Sequence, residues 1–146
     1  MSNILIHTEV NEKVHFADAD PMGVLYHGNY ARYFELARDK ALETLNYSYL
    51  EMEKSGFLWP VVKLNTKFIK YIKYNQFIKI QCELVEWETK LVFNYRMYCV
   101  EKGLLAKGQT TQVPYCMKTN SLQYSFPDIF KERIEKFIQE NGMYSC

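Results

Sequence analysis

From Trp59 to Met117 the chain reads as extended segments that alternate apolar and polar residues with period two. That pattern restricts the fold more than anything else in the sequence. Val62, Leu64, Thr66 and Phe68 alternate with Lys63, Asn65 and Lys67. Ile78, Ile80, Cys82 and Leu84 alternate with Lys79, Gln81 and Glu83. Leu91, Phe93, Tyr95, Met97 and Cys99 share one face of a third run, with Asn94 and Arg96 on the other. Glu88-Thr89 and Lys102-Gly103 stand where short reversals are needed, so neighbouring runs should pair antiparallel. A fourth run, Leu104 to Met117, carries Pro114, which belongs at a strand end or on an edge. A sheet of this kind has one apolar face, and something must cover it.

The cover is a helix expected from Asn29 to Asn46. Tyr30, Tyr33, Phe34, Ala37, Ala41 and Leu45 fall on one side of it, and Arg32, Glu35, Arg38, Asp39 and Glu43 occupy much of the rest. Asn29 is placed to cap it, its side-chain oxygen accepting from a first-turn amide. A first strand is expected from Ile6 to Phe16, ending where Asp18, Asp20, Pro21 and Gly23 break it. A last helix is expected from Pro127 to Glu140. Ser125 and Asp128 resemble a capping box at its start, and Gly142 stops it. The order strand, helix, four strands, helix predicts an α+β fold. Its five-stranded antiparallel sheet wraps one long helix, with an extra C-terminal helix, and residues 1–146 form one domain.

Composition excludes several function classes. A net charge of +1 supplies no one-sign field for a nucleic-acid partner. No apolar run approaches the roughly 20 residues of a spanning helix, so membrane insertion is not expected. The opening MSNILIHTEV lacks the basic start and cleavage site of a secretory signal. Cys82, Cys99, Cys116 and Cys146 form no C-x-x-C pair, which argues against zinc or a disulfide framework and for a reducing, cytoplasmic setting.

Between the first strand and the long helix lies a polar cluster: Asp18, Asp20, His27 and Asn29, with Gly23 and Gly28 among them. The residues alone leave three readings open. Asp, Pro, Gly and Asn are turn formers, and a turn before a helix needs no further purpose. His15, Asp18, Asp20 and His27 are metal-ligand types, without the helical H-x-x-x-H pair or Cys ligand that would support a site. A carboxylate beside a helix N-terminus is also a catalytic arrangement, because unpaired amides there stabilise charge on a substrate oxygen. Gly23 and Gly28 would let a ligand approach the backbone closely. The Lys and Ser/Thr of a phosphate-binding P-loop are absent.

The segment D-x-D-P-x-G-V-x-Y-H-x-N-Y-x-R-Y-F-E-x-A-R, Asp18 to Arg38, resembles the signature of the hotdog-fold acyl-CoA thioesterases. More narrowly, it is similar to the 4-hydroxybenzoyl-CoA thioesterase group and its relatives associated with the Tol-Pal gene cluster. The strand and helix order matches that family too, a helical "sausage" in an antiparallel "bun". The resemblance implies that Asp20 is the catalytic carboxylate, attacking the thioester carbonyl or serving as general base on a water. The helix start near the His27 N–H would hold the oxyanion, the His27 side chain would assist, and Gly28 and Asn29 would face the substrate. Asp18 is expected to organise the loop, and Tyr30, Tyr33 and Phe34 to be core. Several relatives carry a Tyr four residues before the aspartate, where this chain has Phe16.

The implied substrate is an acyl-CoA, or an acyl group on an acyl carrier protein, and no metal or other cofactor is needed. Lys90 and Arg96 are basic residues that could meet CoA phosphates, though a solvated face accounts for each. Pairing of sheets edge to edge, as in hotdog domains, implies a homodimer or homotetramer. Two rival readings remain: a hotdog hydroxyacyl dehydratase using Asp20 with His27, and a non-catalytic acyl-carrier or partner-binding module.

Overall fold

A computed structural model describes residues 3–142 and 144–145. Five long strands form one antiparallel sheet: β1 (Ile6–Lys13), β2 (Val61–Phe68), β3 (Phe77–Glu86), β4 (Leu91–Cys99) and β5 (Gly103–Gln112). Their order across the sheet is β1-β3-β4-β5-β2. Hairpins join β3, β4 and β5, as the two reversals required. β2 crosses to the far side and leaves one edge of the sheet, while β1 occupies the other.

The period-two alternation translates directly into burial on the central strands. Ile78, Ile80, Cys82 and Leu84 are buried, as are Leu91, Phe93, Tyr95 and Met97, whereas Asn94 and Arg96 face solvent. The long helix α1 (Tyr30–Thr44) lies on that apolar face. Tyr30, Tyr33, Phe34, Ala37, Ala41 and Leu45 are all buried. Phe34 stacks on Tyr95 of β4, with ring centroids 4.6 Å apart. Its ring also rests on Gly108 of β5, so closely that any Cβ there would collide with it. Gly108 thus sets how near the helix comes to the sheet.

Several expectations need correction. The first strand ends at Lys13, and Phe16–Asp18 form a 3-10 turn instead of its last residues. The helical pattern places Arg38 on the polar side of α1, yet it is only 3% exposed. It is tolerable there because its guanidinium donates to the Tyr49 and Tyr95 hydroxyls and to Glu35, which satisfies the buried charge. The helix α2 (Tyr49–Lys54) was not anticipated, although Ser48 followed by Glu51 marks its start: the Glu51 amide donates to Ser48 Oγ. The capping box expected at the last helix does not form. α3 (Asp128–Asn141) begins after Pro127, with no side-chain cap. Gly142, at φ 72°, does end it, as expected. Pro114 lies just past the end of β5.

α3 closes one end of the core through Phe130, Ile134 and Phe137. Phe130 packs against Trp59 and Tyr47, and the Trp59 indole donates to the Tyr47 hydroxyl at 3.2 Å. Cys82 is buried, and Cys99 and Cys116 are partly buried free thiols. Cys146 lies outside the described residues. Among the described residues no helix is long and apolar enough to cross a membrane.

Candidate active site

The chain between β1 and α1 is built in two halves around two aspartates. Asp18, 3% exposed, receives hydrogen bonds from Arg32 Nη1 and from the Tyr33 hydroxyl, the latter at 2.5 Å. Its carbonyl accepts from the Tyr26 amide and from Asn29 Nδ2, each at 3.0 Å. This single residue therefore ties the loop to the first turn of the helix, the organising role expected of it. Burial, then the hydrogen bond to Asp18, pushes the Tyr33 phenol up to about 12, so it remains the donor of that pair.

Asp20 is held differently. Its amide donates to the Val24 carbonyl at 2.8 Å, and its Oδ1 accepts from the amides of Met22 (2.8 Å) and Val24 (3.3 Å). These bonds close a tight turn, and Gly23 supplies the positive φ of 78° that it requires. Gly23 is thus a turn residue, with the Tyr74 ring lying over it. Among the described residues Oδ2 of Asp20 accepts no hydrogen bond. The carboxylate is oriented through one oxygen and free to act through the other.

The turn packs beside the start of α1. A 3-10 turn, His27–Asn29, leads into the helix, and its first hydrogen bond runs from the Asn29 amide to the Tyr26 carbonyl at 2.9 Å. The amides of His27 and Gly28 precede that ladder, so they are the donors a helix start leaves over. Asn29 does not cap α1 with its side chain, contrary to expectation. Its amide group faces back and donates to Asp18, because the loop's carbonyl lies within its reach.

Asp20 and His27 line one cleft of about 420 Å³ together with Val24, Leu25, Tyr30 and the Phe68–Tyr71 segment after β2. His27 is exposed, and its ring lies against Tyr26, with centroids 4.2 Å apart. Among the described residues no hydrogen bond joins His27 to Asp18, whose carboxylate is engaged by Arg32 and Tyr33. Gly28 and Asn29 sit in the turn behind His27, and a Cβ on Gly28 would come within 2.6 Å of the Tyr26 ring. Two residues missed by sequence reasoning join the site. Tyr30 was read as core, and it is buried, yet it lines the cleft. Lys70, from a segment with no periodic signal, also lines the cleft, with its ammonium donating to the Lys102 carbonyl at 2.6 Å.

Phe16 is 74% exposed and meets Tyr74 edge-on, with centroids 5.3 Å apart. Arg96 stands on the outer sheet face in one row with Lys107 and Lys67, on three adjacent strands. Lys90 lies in the β3–β4 reversal. Among the described residues no group of His, Cys, Asp or Glu is arranged to hold a metal ion.

A carboxylate with one unengaged oxygen, sharing a cleft with the start of a helix, is an arrangement able to act on an acyl carbonyl. The chain belongs to the thioesterase-like superfamily, whose model matches residues 14–142. YneP of Bacillus subtilis (strain 168) is 30% identical over 122 residues, covering 80% of this chain and 87% of that protein. The acyl-CoA thioester hydrolase YbgC of Escherichia coli O157:H7 is 27% identical, covering 82% and 92%. The crystal structure of a DHNA-CoA thioesterase from Staphylococcus aureus superposes with a TM-score of 0.80 at 30% identity, over 93% of this chain and 95% of that one. The fold is the hotdog anticipated from the Asp18–Arg38 motif.

Proposed function

We propose that this chain, an acyl-CoA thioesterase by family, cleaves its substrate in the cleft at Asp20, as a single domain acting in the cytoplasm. The observation that carries this is the state of Asp20: one oxygen fixed by two backbone amides, the other unengaged, beside a helix start with amides to spare. As nucleophile, Asp20 would add to the thioester carbonyl carbon. The C–S bond then breaks, the thiolate leaves and takes up a proton, and water cleaves the resulting anhydride. As general base, it would take a proton from the water that attacks the same carbon. Either route gives the free acid and the thiol. The His27 and Gly28 amides would meet the carbonyl oxygen as it gains charge, and the His27 ring would assist at the cleft wall. Asn29, through its bond to Asp18, would keep that helix start in register with Asp20.

A second copy of the chain completes the site in this reading. β2 is an edge strand exposed along nearly its whole length, with Val62, Leu64 and Phe68 half-exposed. Such an edge is a template for pairing with another strand. The cleft wall continues from β2 through Phe68–Tyr71, so a homodimer pairing there, or a homotetramer built from it, would enclose the acyl group.

Free-thiol release from short, long, branched and aromatic acyl-CoAs tests the proposal, comparing the native chain with Asp20→Asn. Loss of roughly 10²–10⁴-fold in turnover is expected for the variant. An Asn variant as active as the native chain overturns the assignment. No turnover on any CoA ester, with binding to an acyl carrier protein, would point to a binding module instead.

A further inference from the structure

Tyr30 is the first residue of α1 and is 4% exposed. Its ring packs edge-on against Phe68, with centroids 4.8 Å apart, which is core behaviour. Its hydroxyl does not fit that description. A buried tyrosine ordinarily finds a partner for its O–H, and among the described residues this one has none. Nor is it sealed away: the buried polar atoms left without a partner there are Gln112 Oε1 and Arg133 Nε. The hydroxyl is thus neither partnered nor fully enclosed, and Tyr30 lines the cleft that holds Asp20 and His27.

Two physical facts give that hydroxyl a direction. Side chains of a helix lean toward its N-terminus, so a residue at the first position reaches back toward the amides that precede the helix. Here those are His27 and Gly28. Burial first, and then the charge of Asp20, pushes the Tyr30 phenol above its ordinary range. Through neutral pH it is a neutral donor near a carboxylate to which it is not bonded.

We propose that the Tyr30 hydroxyl is a second oxyanion donor, hydrogen-bonding the thioester carbonyl oxygen alongside the helix-start amides. This rests on the reading of the Asp20 cleft as the site of hydrolysis. When the nucleophile adds to the carbonyl carbon, the C=O π pair moves onto oxygen. Tyr30 donates to that oxygen without surrendering its proton. When the pair returns, the C–S bond breaks and the thiolate leaves, with the phenol unchanged. A phenol whose ring is locked by Phe68 costs little reorganisation at that moment, which is what makes a preorganised donor effective.

The test is steady-state kinetics of Tyr30→Phe, which removes one oxygen and keeps the ring against Phe68, with Asp20→Asn in parallel. The expected result is a kcat lower by about 10²-fold with KM within about twofold of native, since a donor used only in the transition state lowers kcat. The unfolding midpoint should match native. A native-like kcat in Tyr30→Phe, with Asp20→Asn inactive, overturns the proposal and leaves the cleft reading standing. An active Asp20→Asn overturns the cleft reading itself. Incorporating 3,5-difluorotyrosine at position 30 supplies an independent readout if Tyr30→Phe fails to fold. Its more acidic phenol should add an alkaline limb to the kcat–pH profile that the native chain lacks. Absence of that limb also overturns the proposal.

Discussion

Asp18 and Asp20 stand two residues apart in one loop, and the fold treats them in opposite ways. Asp18 is enclosed, and both of its carboxylate oxygens receive side-chain donors, from Arg32 and Tyr33. Asp20 is half-buried, is held by the backbone of its own turn through Oδ1, and faces a cleft. The difference follows from what each half of the loop leans on. The Phe16–Asp18 turn abuts the side chains of α1, which offer donors. The Asp20–Val24 turn leans on the Ile72–Tyr74 segment through backbone bonds, Leu25 to Ile72 at 2.7 Å and Tyr74 to Gly23 at 3.2 Å. A carboxylate whose acceptor sites are filled from its surroundings serves structure, and one with an oxygen left over can serve chemistry.

Exchanging charge for amide at each position sharpens that contrast most. Asp20→Asn should abolish nearly all thiol release, by roughly 10²–10⁴-fold, with little change in the unfolding midpoint. Asp18→Asn should do the reverse in kind. Arg32 and Tyr33 donate to different oxygens, and the amide turns one of those into an NH2 donor, so one donor is left facing another, at a cost of about 1–3 kcal/mol of stability by denaturant titration. A variant pair that behaved alike in both assays would break the comparison.

The pH dependence of stability gives a smaller effect. Tyr33 ionises near 10 when unfolded and near 12 when folded. The folded chain therefore holds that proton more tightly, and the associated stability is complete below pH 10 and lost as pH rises toward about 12. Tyr33→Phe should make the decline across that window shallower. It should not abolish it, because burial also raises the phenols of Tyr30 and Tyr95. An unchanged slope would show that the Asp18 half is not anchored through Tyr33.

Much of this was legible in the sequence where periodicity speaks. The alternation of β3 and β4 and the stripe on α1 were read correctly because burial follows a side chain's direction, and direction follows a fixed period. Arg38 was misread for the same reason. Charge suggested solvent, while its position faces the core, and only the three-dimensional arrangement of Tyr49 and Tyr95 makes that burial affordable. β2 shows the opposite failure: its alternation is sound, but as an edge strand its apolar residues stay half-exposed in the single chain. At the site, the Asp18–Arg38 motif located the loop. The spare Oδ2 of Asp20, the bond from Asn29 back to Asp18, and the open Tyr30 hydroxyl depend on how distant segments meet, which no local pattern encodes.

Phe16 offers the smallest and finest test of the two-aspartate contrast. It opens the buried half of the loop yet is largely exposed, its ring resting on Tyr74, which in turn covers Gly23 at the tip of the Asp20 turn. Phe16→Tyr adds one hydroxyl at an exposed rim, so the unfolding free energy should stay within about 0.5 kcal/mol of native. If the Asp20 half is self-sufficient, turnover should change by less than about twofold, because the turn is fixed by backbone bonds that the new hydroxyl does not touch. A gain of tenfold, about 1.4 kcal/mol in the barrier, would instead mean that the added hydroxyl reaches the reacting group. Asp20 would then be working without a partner that its own turn fails to replace.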